Sequence, residues 1–360
     1  MNGRTFCFVL MGNLYLFPYM DRYLEHLDGD VFDVIYWDRD GIDEEDTGAR
    51  HSYKFHVALG LNASKWEKIW GYRSFQEYAQ AILQENNYDG VILLQTAAGI
   101  LLQRVLRRKY AKRYVLDIRD YTMERNKLFY LIERAVINVS ALTVVSSEAY
   151  KDFLPPSTYL TVHNYRLLDG DMVGKIRNRE KSPRKLVIAF IGFVRYQEQH
   201  KRLLMLFKND ARFELHFFGK EGEKLVPFCR ENQIDNVRIG GQYPAAEGLA
   251  HYDGVDIVNN LYGSNTPTLD FALSNKLYIA AQLLMPILVC PGTYMEKVAV
   301  GNGFGYTLDL LDPRACDRLH DYYEHIDWNS FSKSCDAFLE QVNTQNRYFD
   351  ETIERFYCGE

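Results

Sequence analysis

The chain has 360 residues, which is enough for two domains of ordinary size. Hydrophobic residues make up 47% and charged residues 25%, which are globular proportions and exclude disordered, collagen-like and disulfide-rich classes. The net charge of −6 gives no global positive field for a polyanion, so nucleic acid is not an expected partner.

The six cysteines are scattered singly, and neither they nor the histidines show the spacing of a metal site. We therefore expect no metal, no disulfide and a cytoplasmic location, where thiols stay reduced. The N-terminal residues lead directly into an apolar strand pattern, and no apolar run reaches the roughly 18 residues of a membrane span. Neither a signal peptide nor a spanning helix is expected.

Short apolar runs alternate with segments of helical period, which predicts parallel sheets covered by helices on both faces. In the first half, the predicted strands are 6–10, 31–37, 91–94, 114–118 and 142–145. In the second half, they are 186–193, 213–218, 237–239, 255–258 and 287–290.

This alternation predicts two Rossmann-like, doubly wound α/β domains that face each other across a cleft. The first is 1–165 and the second is 186–334. The polar segment 166–185 is the predicted linker, because it carries glycines and a proline and lacks sustained periodicity. The helical tail, 335–360, is expected to cross the seam and pack back on the first domain. Ligands bind such sheets at the carboxyl ends of the strands.

The first candidate site follows the strand that opens the second half. Gly192 stands at the strand end, where a residue without a side chain lets a ligand approach the backbone. Arg195 and Lys201 come next, and cations at this place suit a diphosphate. A strand-to-helix turn with solvated charges explains the same residues equally well.

The second candidate site is the polar loop and helix start within 264–278. A helix that begins near Ser274, Asn275 and Lys276 offers backbone N–H groups and an ammonium to an anion. Serine and asparagine are also ordinary helix caps, so this pattern is weak when taken alone.

In this order and on this architecture, the two stretches resemble those of the GT-B glycosyltransferases, specifically the family-4 (group 1) type of bacterial capsular and surface polysaccharide biosynthesis. The resemblance covers 186 to about 309 and includes the glycine-rich run 301–306. Fainter matches at 116–120 and 161–164 are similar to the family's strand-end motifs. The resemblance implies retaining, metal-independent transfer of a sugar from a nucleoside-diphosphate sugar to a glycan or lipid-linked acceptor, without a further cofactor.

The resemblance also implies roles for individual residues. Arg195 and Lys201 take the places of the basic pair on the donor diphosphate, and Lys276 takes that of the lysine in a Pro-Asn-Lys-Leu-like motif. Basic groups there neutralise the leaving diphosphate in place of a metal ion. The predicted catalytic residues are Arg195, Lys201, Lys276 and Asp117. The predicted donor-binding residues are Gly192, Tyr243, Asn275, Ser274 and Asp270.

The acceptor is expected on the first domain. The predicted acceptor-side residues are Gly12, Asn13, Arg119, Asp120 and His163. Asp117, Arg119 and Asp120 at a strand end suit the orientation of a hydroxyl group, and an internal ion pair with a capping aspartate is the alternative. The run after the first strand lacks the glycine fingerprint of a dinucleotide site, which disfavours a nicotinamide dehydrogenase.

Two positions depart from the family pattern. Ile279 and Phe271 stand where the family commonly places carboxylates, and an isoleucine cannot accept a hydrogen bond from a ribose hydroxyl. Asp270 is adjacent to the second position. Two alternatives therefore stay open: a sugar-nucleotide epimerase of GT-B fold, and a non-catalytic nucleotide-binding scaffold.

The segment 100–113 packs six cations beside an apolar stripe, which suits an anionic inner leaflet. Trp66 and Trp70, with Lys65 and Lys68 nearby, are a second candidate for an interfacial anchor. A solvated helix face explains the same residues. Peripheral contact with the inner face of the cytoplasmic membrane through 100–113 is thus an open prediction.

Overall fold

A computed structural model describes residues 3–27, 29–42, 47–60, 63–177 and 185–360. Its contacts divide the chain into two compact units. Unit 1 consists of Met1–His163 with Thr344–Glu360, and unit 2 is Asn164–Asn343. Each unit is a parallel sheet with helices, as the alternating sequence pattern predicts.

Within the described residues, the sheet of unit 1 has seven strands: β1 (Thr5–Leu10), β2 (Val31–Asp38), β3 (His51–His56), β4 (Gly90–Leu93), β5 (Tyr114–Ile118), β6 (Leu142–Val145) and β7 (Leu160–Thr161). They pair in parallel in the order β3-β2-β1-β4-β5-β6-β7. The helices of this part are α1 (Met20–Leu24), α2 (Lys65–Glu85), α3 (Thr96–Lys109) and α4 (Lys127–Val139). The strand order reverses between β1 and β4, which is the topological switch point of this sheet.

The described part of unit 2 has six strands: β8 (Leu186–Ile191), β9 (Phe213–Phe218), β10 (Val237–Gly240), β11 (Ile257–Asn259), β12 (Ile287–Val289) and β13 (Gly305–Thr307). They pair in parallel in the order β10-β9-β8-β11-β12-β13. The helices that follow α4 along the chain are α5 (Gly170–Arg177), α6 (Gln197–Leu206), α7 (Val226–Glu231), α8 (Pro267–Phe271), α9 (Asn275–Leu283), α10 (Tyr294–Gly301), α11 (Ala315–Glu324) and α12 (Trp328–Cys358). The switch point lies between β8 and β11. The two doubly wound units confirm the predicted fold class.

The strand β3 was not predicted, because its residues alternate in exposure and are mostly polar. It is an edge strand whose basic side chains contact buried aspartates of β2. Lys54 lies 3.1 Å and His56 2.9 Å from a carboxylate oxygen of Asp38. These pairs hold an otherwise polar strand on the sheet.

The segment predicted to be a linker, 166–185, is partly helical. Its helix α5 belongs to unit 2, where Ile176 is buried in the core and Arg177 donates to the Gln282 carbonyl oxygen at 2.7 Å. Only one of the eight residues of this helix is buried, so it shows little apolar periodicity. Residues 178–184 lie outside the described residues.

The last helix, α12, contributes to both units. Phe331, Phe338 and Val342 pack in the core of unit 2, whereas Phe349 and Ile353 pack in the core of unit 1. The division between units falls at Thr344, later than the predicted 335. The reason is that the apolar stripe of this helix runs without interruption and gives no sign of where its packing partner changes.

Candidate functional site

Lys276 is the central charged group at the carboxyl edge of the sheet of unit 2. It lies in the first turn of α9, and its backbone N–H donates to the hydroxyl of the N-cap residue Ser274 at 3.3 Å. The residue is only 6% exposed, and its ammonium donates to the Tyr262 hydroxyl at 2.7 Å. Among the described residues, no carboxylate forms an ion pair with this ammonium.

Two aromatic rings also surround the ammonium. Its nitrogen lies 4.2 Å from the centre of the Phe190 ring and 4.8 Å from that of Tyr262. The two rings meet edge to face, with their centres 5.2 Å apart. A buried positive charge is thus held by ring faces and one neutral hydroxyl, a weaker stabilisation than a carboxylate provides.

Two glycines let the backbone approach closely, one to the ammonium and the other to its neighbour's carbonyl. Gly192 follows β8 with a φ of +129°, and a Cβ atom there would lie 3.5 Å from the Lys276 nitrogen. Gly219 follows β9 with a φ of +134°, and its Cβ atom would lie 1.9 Å from the Gly192 carbonyl oxygen. Side chains are therefore excluded at both positions. Gly192 follows a strand that borders the switch point, where sheets of this kind bind ligands.

Two exposed cations lie at the same edge. Arg195 and Lys220 each place their charge over the Phe193 ring, at 5.2 and 5.3 Å from its centre. The backbone N–H of Val194 donates to the Lys220 carbonyl oxygen at 3.0 Å, which joins the two loops. The structure thus brings the predicted residues Gly192, Arg195 and Lys276 to one edge of the sheet.

Sequence reasoning missed Tyr262, Phe190 and Lys220. Tyr262 follows β11, 14 residues before Lys276, and no spacing rule connects an aromatic residue in a loop with a lysine in the next helix. The available signal was position, since each of these residues lies at or just beyond the carboxyl end of one of three neighbouring strands, β9, β8 and β11.

Lys201 is engaged elsewhere. Its ammonium lies 2.7 Å from a carboxylate oxygen of Glu198 on the same helix and 5.6 Å from the centre of the Phe228 ring of α7. These contacts place its ammonium between side chains of α6 and α7. Its part in a diphosphate site stays a prediction.

The remaining donor-side predictions fall on the loops around α8 and α9. Asp270 accepts the backbone N–H of Asn265 at 2.8 Å, which holds the loop before α8. Asn275 is exposed at the start of α9. The ring of Tyr243 lies 4.4 Å from that of His251 and packs against the core. Ile279 also packs against this core, so its position supplies apolar contact and no hydrogen-bond acceptor.

In unit 1, Asp117 and Arg119 form an internal ion pair at the end of β5. Both oxygens of the fully buried Asp117 accept from the Arg119 guanidinium at 2.6 Å, and one also accepts from the Tyr23 hydroxyl at 2.7 Å. The guanidinium lies 4.2 Å from the centre of the Tyr19 ring. Burial opposes its charge, but Asp117 outweighs burial and raises the pKa of Arg119 well above its usual range. Asp120 is exposed beside this pair.

The other acceptor-side predictions also fall on internal contacts. Asn13 is fully buried after Gly12, donates to Asp38 at 2.8 Å and accepts the backbone N–H of Arg39 at 2.9 Å. His163 is buried after β7; its backbone N–H donates to the side-chain oxygen of Asn346 at 2.8 Å, and its ring contacts Gln345 of α12. Burial lowers the pKa of His163.

Three of the six cations within 100–113 bind backbone carbonyls. Lys109 donates to three carbonyl oxygens at the C-terminal end of α2, and Lys112 donates to the carbonyls of Asn138 and Ser140 at the end of α4. Arg113 donates to the carbonyl of Tyr88 at 3.3 Å. The other three, Arg104, Arg107 and Arg108, are exposed on α3.

Comparison with known proteins gives a likeness in structure alone. No family model and no curated protein matches the sequence. Sucrose-phosphate synthase from Thermosynechococcus elongatus superposes with a TM-score of 0.71 at 10% identity, covering 99% of this chain and 100% of that one. The chain has the GT-B fold.

Two further solved structures are similar to this chain over nearly its whole length. The lipopolysaccharide outer core galactosyltransferase WaaB in its apo form has a TM-score of 0.66 at 12% identity, covering 97% of this chain and 99% of that one. HepE from Anabaena in complex with UDP has a TM-score of 0.65 at 12% identity, with the same coverage. At such identities the likeness concerns the fold.

Within the ranges that the structure describes, no group of three or more His, Cys, Asp or Glu side chains is placed to hold a metal ion. No helix in the same part of the chain has both the length and the apolar character needed to cross a bilayer.

Proposed function

We propose that the protein is a glycosyltransferase that binds a nucleoside-diphosphate sugar at the carboxyl edge of unit 2 and transfers the sugar to an acceptor. The observation that carries this proposal is the buried Lys276 ammonium, which has no acidic partner in the described residues and lies 3.5 Å from the position that a Cβ atom would take at Gly192. A buried charge without a counter-ion is unfavourable, so an anion bound there gains a strong electrostatic interaction. The likeness to HepE, solved with UDP, and to a named galactosyltransferase supports a nucleotide sugar as that anion.

In this proposal the cations stabilise the leaving diphosphate. The bond between the sugar carbon and the diphosphate oxygen breaks, and the acceptor oxygen forms the new bond at that carbon. The acceptor's proton passes to the leaving diphosphate or to water. Negative charge grows on the departing oxygen, where Lys276 donates to it and Arg195 supplies a second positive charge.

Thermal unfolding tests the proposed site directly. Wild-type protein and Lys276→Ala are melted with UDP, GDP, ADP, CDP and dTDP in the absence of metal. A ligand at a hundredfold excess over its Kd adds about 2.7 kcal/mol to the free energy of unfolding, which a melting curve resolves. We expect one diphosphate to stabilise the wild type and not the variant. Equal stabilisation of both proteins would place the nucleotide elsewhere.

A non-catalytic nucleotide-binding scaffold is a second candidate, favoured by Ile279. This side chain packs on the core at a position where the resemblance leads us to expect a carboxylate that accepts ribose hydroxyls. The two candidates differ in turnover, because a scaffold binds the nucleotide and releases no free diphosphate. Chromatography of purified protein incubated with a nucleotide sugar and glycan acceptors distinguishes them.

We also propose that the acceptor is a glycan or a lipid-linked sugar and that the reaction belongs to bacterial surface polysaccharide synthesis on the cytoplasmic side. The support is the sequence resemblance together with the structural likeness to a lipopolysaccharide galactosyltransferase. We further propose that the configuration at the sugar carbon is retained, which the sequence resemblance to family-4 glycosyltransferases supports.

A further inference from the structure

The helix α2 presents a patch of large apolar side chains to solvent. Trp66, Ile69 and Trp70 lie on one face of its first two turns and are 80%, 57% and 61% exposed. Two buried residues on the opposite side, Phe75 and Ala79, connect the helix to the core. The patch therefore contributes little to folding. A contiguous group of this kind marks a surface that contacts another molecule or a membrane.

A groove between α2 and α3 adjoins the patch. It has a volume of about 680 Å³, and Ile69, Ile100 and Leu101 form its apolar part. Arg73, its ion-pair partner Glu77 and Arg104 line the same groove, so the net positive charge beside the apolar surface comes from Arg104. This combination suits an amphipathic surface better than the apolar face of a protein partner.

The positive charge of this face comes from α3, since α2 has three basic and three acidic residues. The sequence carries a net charge of −6, yet α3 contains four cations and no acidic residue. Lys109 binds the carbonyls that end α2, which leaves the exposed Arg104, Arg107 and Arg108 to face a partner. Lys65 lies next to the tryptophans at the start of α2.

We propose that this face of unit 1 docks on a bilayer that contains anionic lipids, with Trp66 and Trp70 at the level of the headgroups and the three exposed arginines against the lipid phosphates. Tryptophan prefers the membrane–water interface, and each surface cation near an anionic leaflet adds attraction. The proposal goes beyond sugar transfer, since no residue of the nucleotide site takes part. The proposed membrane contact therefore differs from the prediction of 100–113 alone, because it combines the tryptophans of α2 with the exposed arginines of α3.

Vesicle co-sedimentation of the full-length protein tests this surface. The vesicles are phosphatidylcholine alone, or two parts phosphatidylcholine to one part phosphatidylglycerol, at low and high salt. We expect binding to the anionic vesicles that weakens about tenfold or more on neutral vesicles or in high salt. Trp66→Ala with Trp70→Ala, and separately Arg104→Gln with Arg107→Gln and Arg108→Gln, should each reduce binding about tenfold or more.

Tyr348→Ala is the matched control, because this exposed aromatic side chain lies on α12, away from the patch. It should bind vesicles as the wild type does, and all variants should melt at the wild-type temperature. Absence of vesicle binding by the wild type, or undiminished binding by the tryptophan variant, would overturn the proposal. So would a tryptophan variant whose native mass falls, since the occupant would then be a second copy. Stabilisation by nucleotide, measured on the same proteins, reports the proposed transferase site separately.

Discussion

The charged side chains at the carboxyl edges of the two sheets differ in whether they have partners of opposite charge. In unit 1, the charged groups there neutralise one another: Asp117 binds Arg119 through both oxygens, and Asp38 contacts Asn13, Lys54 and the ring of His56. In unit 2, Lys276 is buried with a tyrosine hydroxyl as its hydrogen-bond partner. The two sheets share one architecture, so the difference comes from the side chains placed at the strand ends.

This difference separates a stabilising edge from a binding edge. A ligand at Asp117 would have to displace a guanidinium that already satisfies both oxygens, which leaves an uncompensated buried charge. A ligand at Lys276 supplies the missing counter-ion and displaces nothing that is charged. We therefore expect substitutions at the edge of unit 1 to change stability and those at the edge of unit 2 to change ligand affinity.

Arg119→Met gives the largest expected effect. It leaves the Asp117 carboxylate buried with the Tyr23 hydroxyl as its remaining side-chain donor, and such a loss costs about 3–5 kcal/mol in the free energy of unfolding. Urea denaturation measures this change. The control is Arg73→Met, which removes an exposed pair with Glu77 and should cost under about 1 kcal/mol. A similar small loss for Arg119→Met would show that Asp117 is available to a ligand.

Glu133 is an exception to the neutralised charges of unit 1. The residue is fully buried in α4, and neither oxygen has a hydrogen-bond partner within the described residues. Burial, with a smaller contribution from Glu124, raises the pKa of Glu133 from 4.5 to about 8. The unfolded chain releases this proton near pH 4.5, so the stability that the protonated form contributes is present below that pH and is lost as the pH rises to about 8.

Glu133→Gln should therefore stabilise the protein at neutral pH. The amide copies the protonated acid, and the gain at pH 7 is about 3 kcal/mol at most, from a shift of several pKa units. Between pH 5 and pH 8, the melting temperature of the variant should change less with pH than that of the wild type. Glu77→Gln, at an exposed position of α2, is the control. Parallel pH profiles for Glu133→Gln and the wild type would contradict a neutral Glu133.

The sequence predicted the fold well where burial is uniform. The strands β5 and β6, in which nearly every residue is buried, have the predicted bounds. The strand β9 also has its predicted bounds, although buried residues alternate with half-buried ones along it. The polar edge strand β3 and the short strands β7 and β13 were missed, since pairing with a neighbour defines them and local pattern does not. The helix α5 was missed because only one of its eight residues is buried, which leaves little apolar periodicity.

For the candidate site, the sequence located backbone positions better than side-chain partners. The glycine at the end of β8 and the helix start at Ser274 lie where predicted, because turn and cap chemistry is local. The Asp117–Arg119 pair and the Lys276–Tyr262 contact depend on how side chains turn after folding. In the first case, the residue predicted to be catalytic forms the ion pair that was the alternative interpretation. Spacing alone does not distinguish the two.

Lys276→Ala tests the binding edge. Loss of the buried ammonium should lower turnover with a nucleotide sugar about 100-fold or more, the effect of removing a group that stabilises developing negative charge. Steady-state kinetics with purified protein measures it. Lys208→Ala, an exposed lysine just after α6, is the control and should match the wild type. Turnover at the wild-type level in Lys276→Ala would contradict the assignment of the edge of unit 2 as the binding edge.

Tyr262→Phe should have the smallest effect. It removes the hydroxyl that accepts from Lys276 and keeps the ring beneath the ammonium, so nucleotide affinity should fall about threefold to tenfold, the effect of one hydrogen bond. Tyr262→Leu removes ring and hydroxyl and should weaken binding further. Calorimetric titration measures the nucleotide affinity of both variants. The control is Tyr306→Phe, a substitution at a half-buried tyrosine of β13. Equal affinities in all four proteins would mean that Tyr262 does not position the ammonium.

The path of α12 has a consequence for how the chain folds during synthesis. Phe349, Ile353 and Tyr357 complete the core around β1, yet the ribosome makes them after every residue of unit 2. The nascent N-terminal sheet must therefore wait, with part of its apolar face uncovered, while unit 2 emerges. Nascent chains arrested before Phe349 should show this directly, because their first sheet would remain sensitive to protease when the second is already resistant.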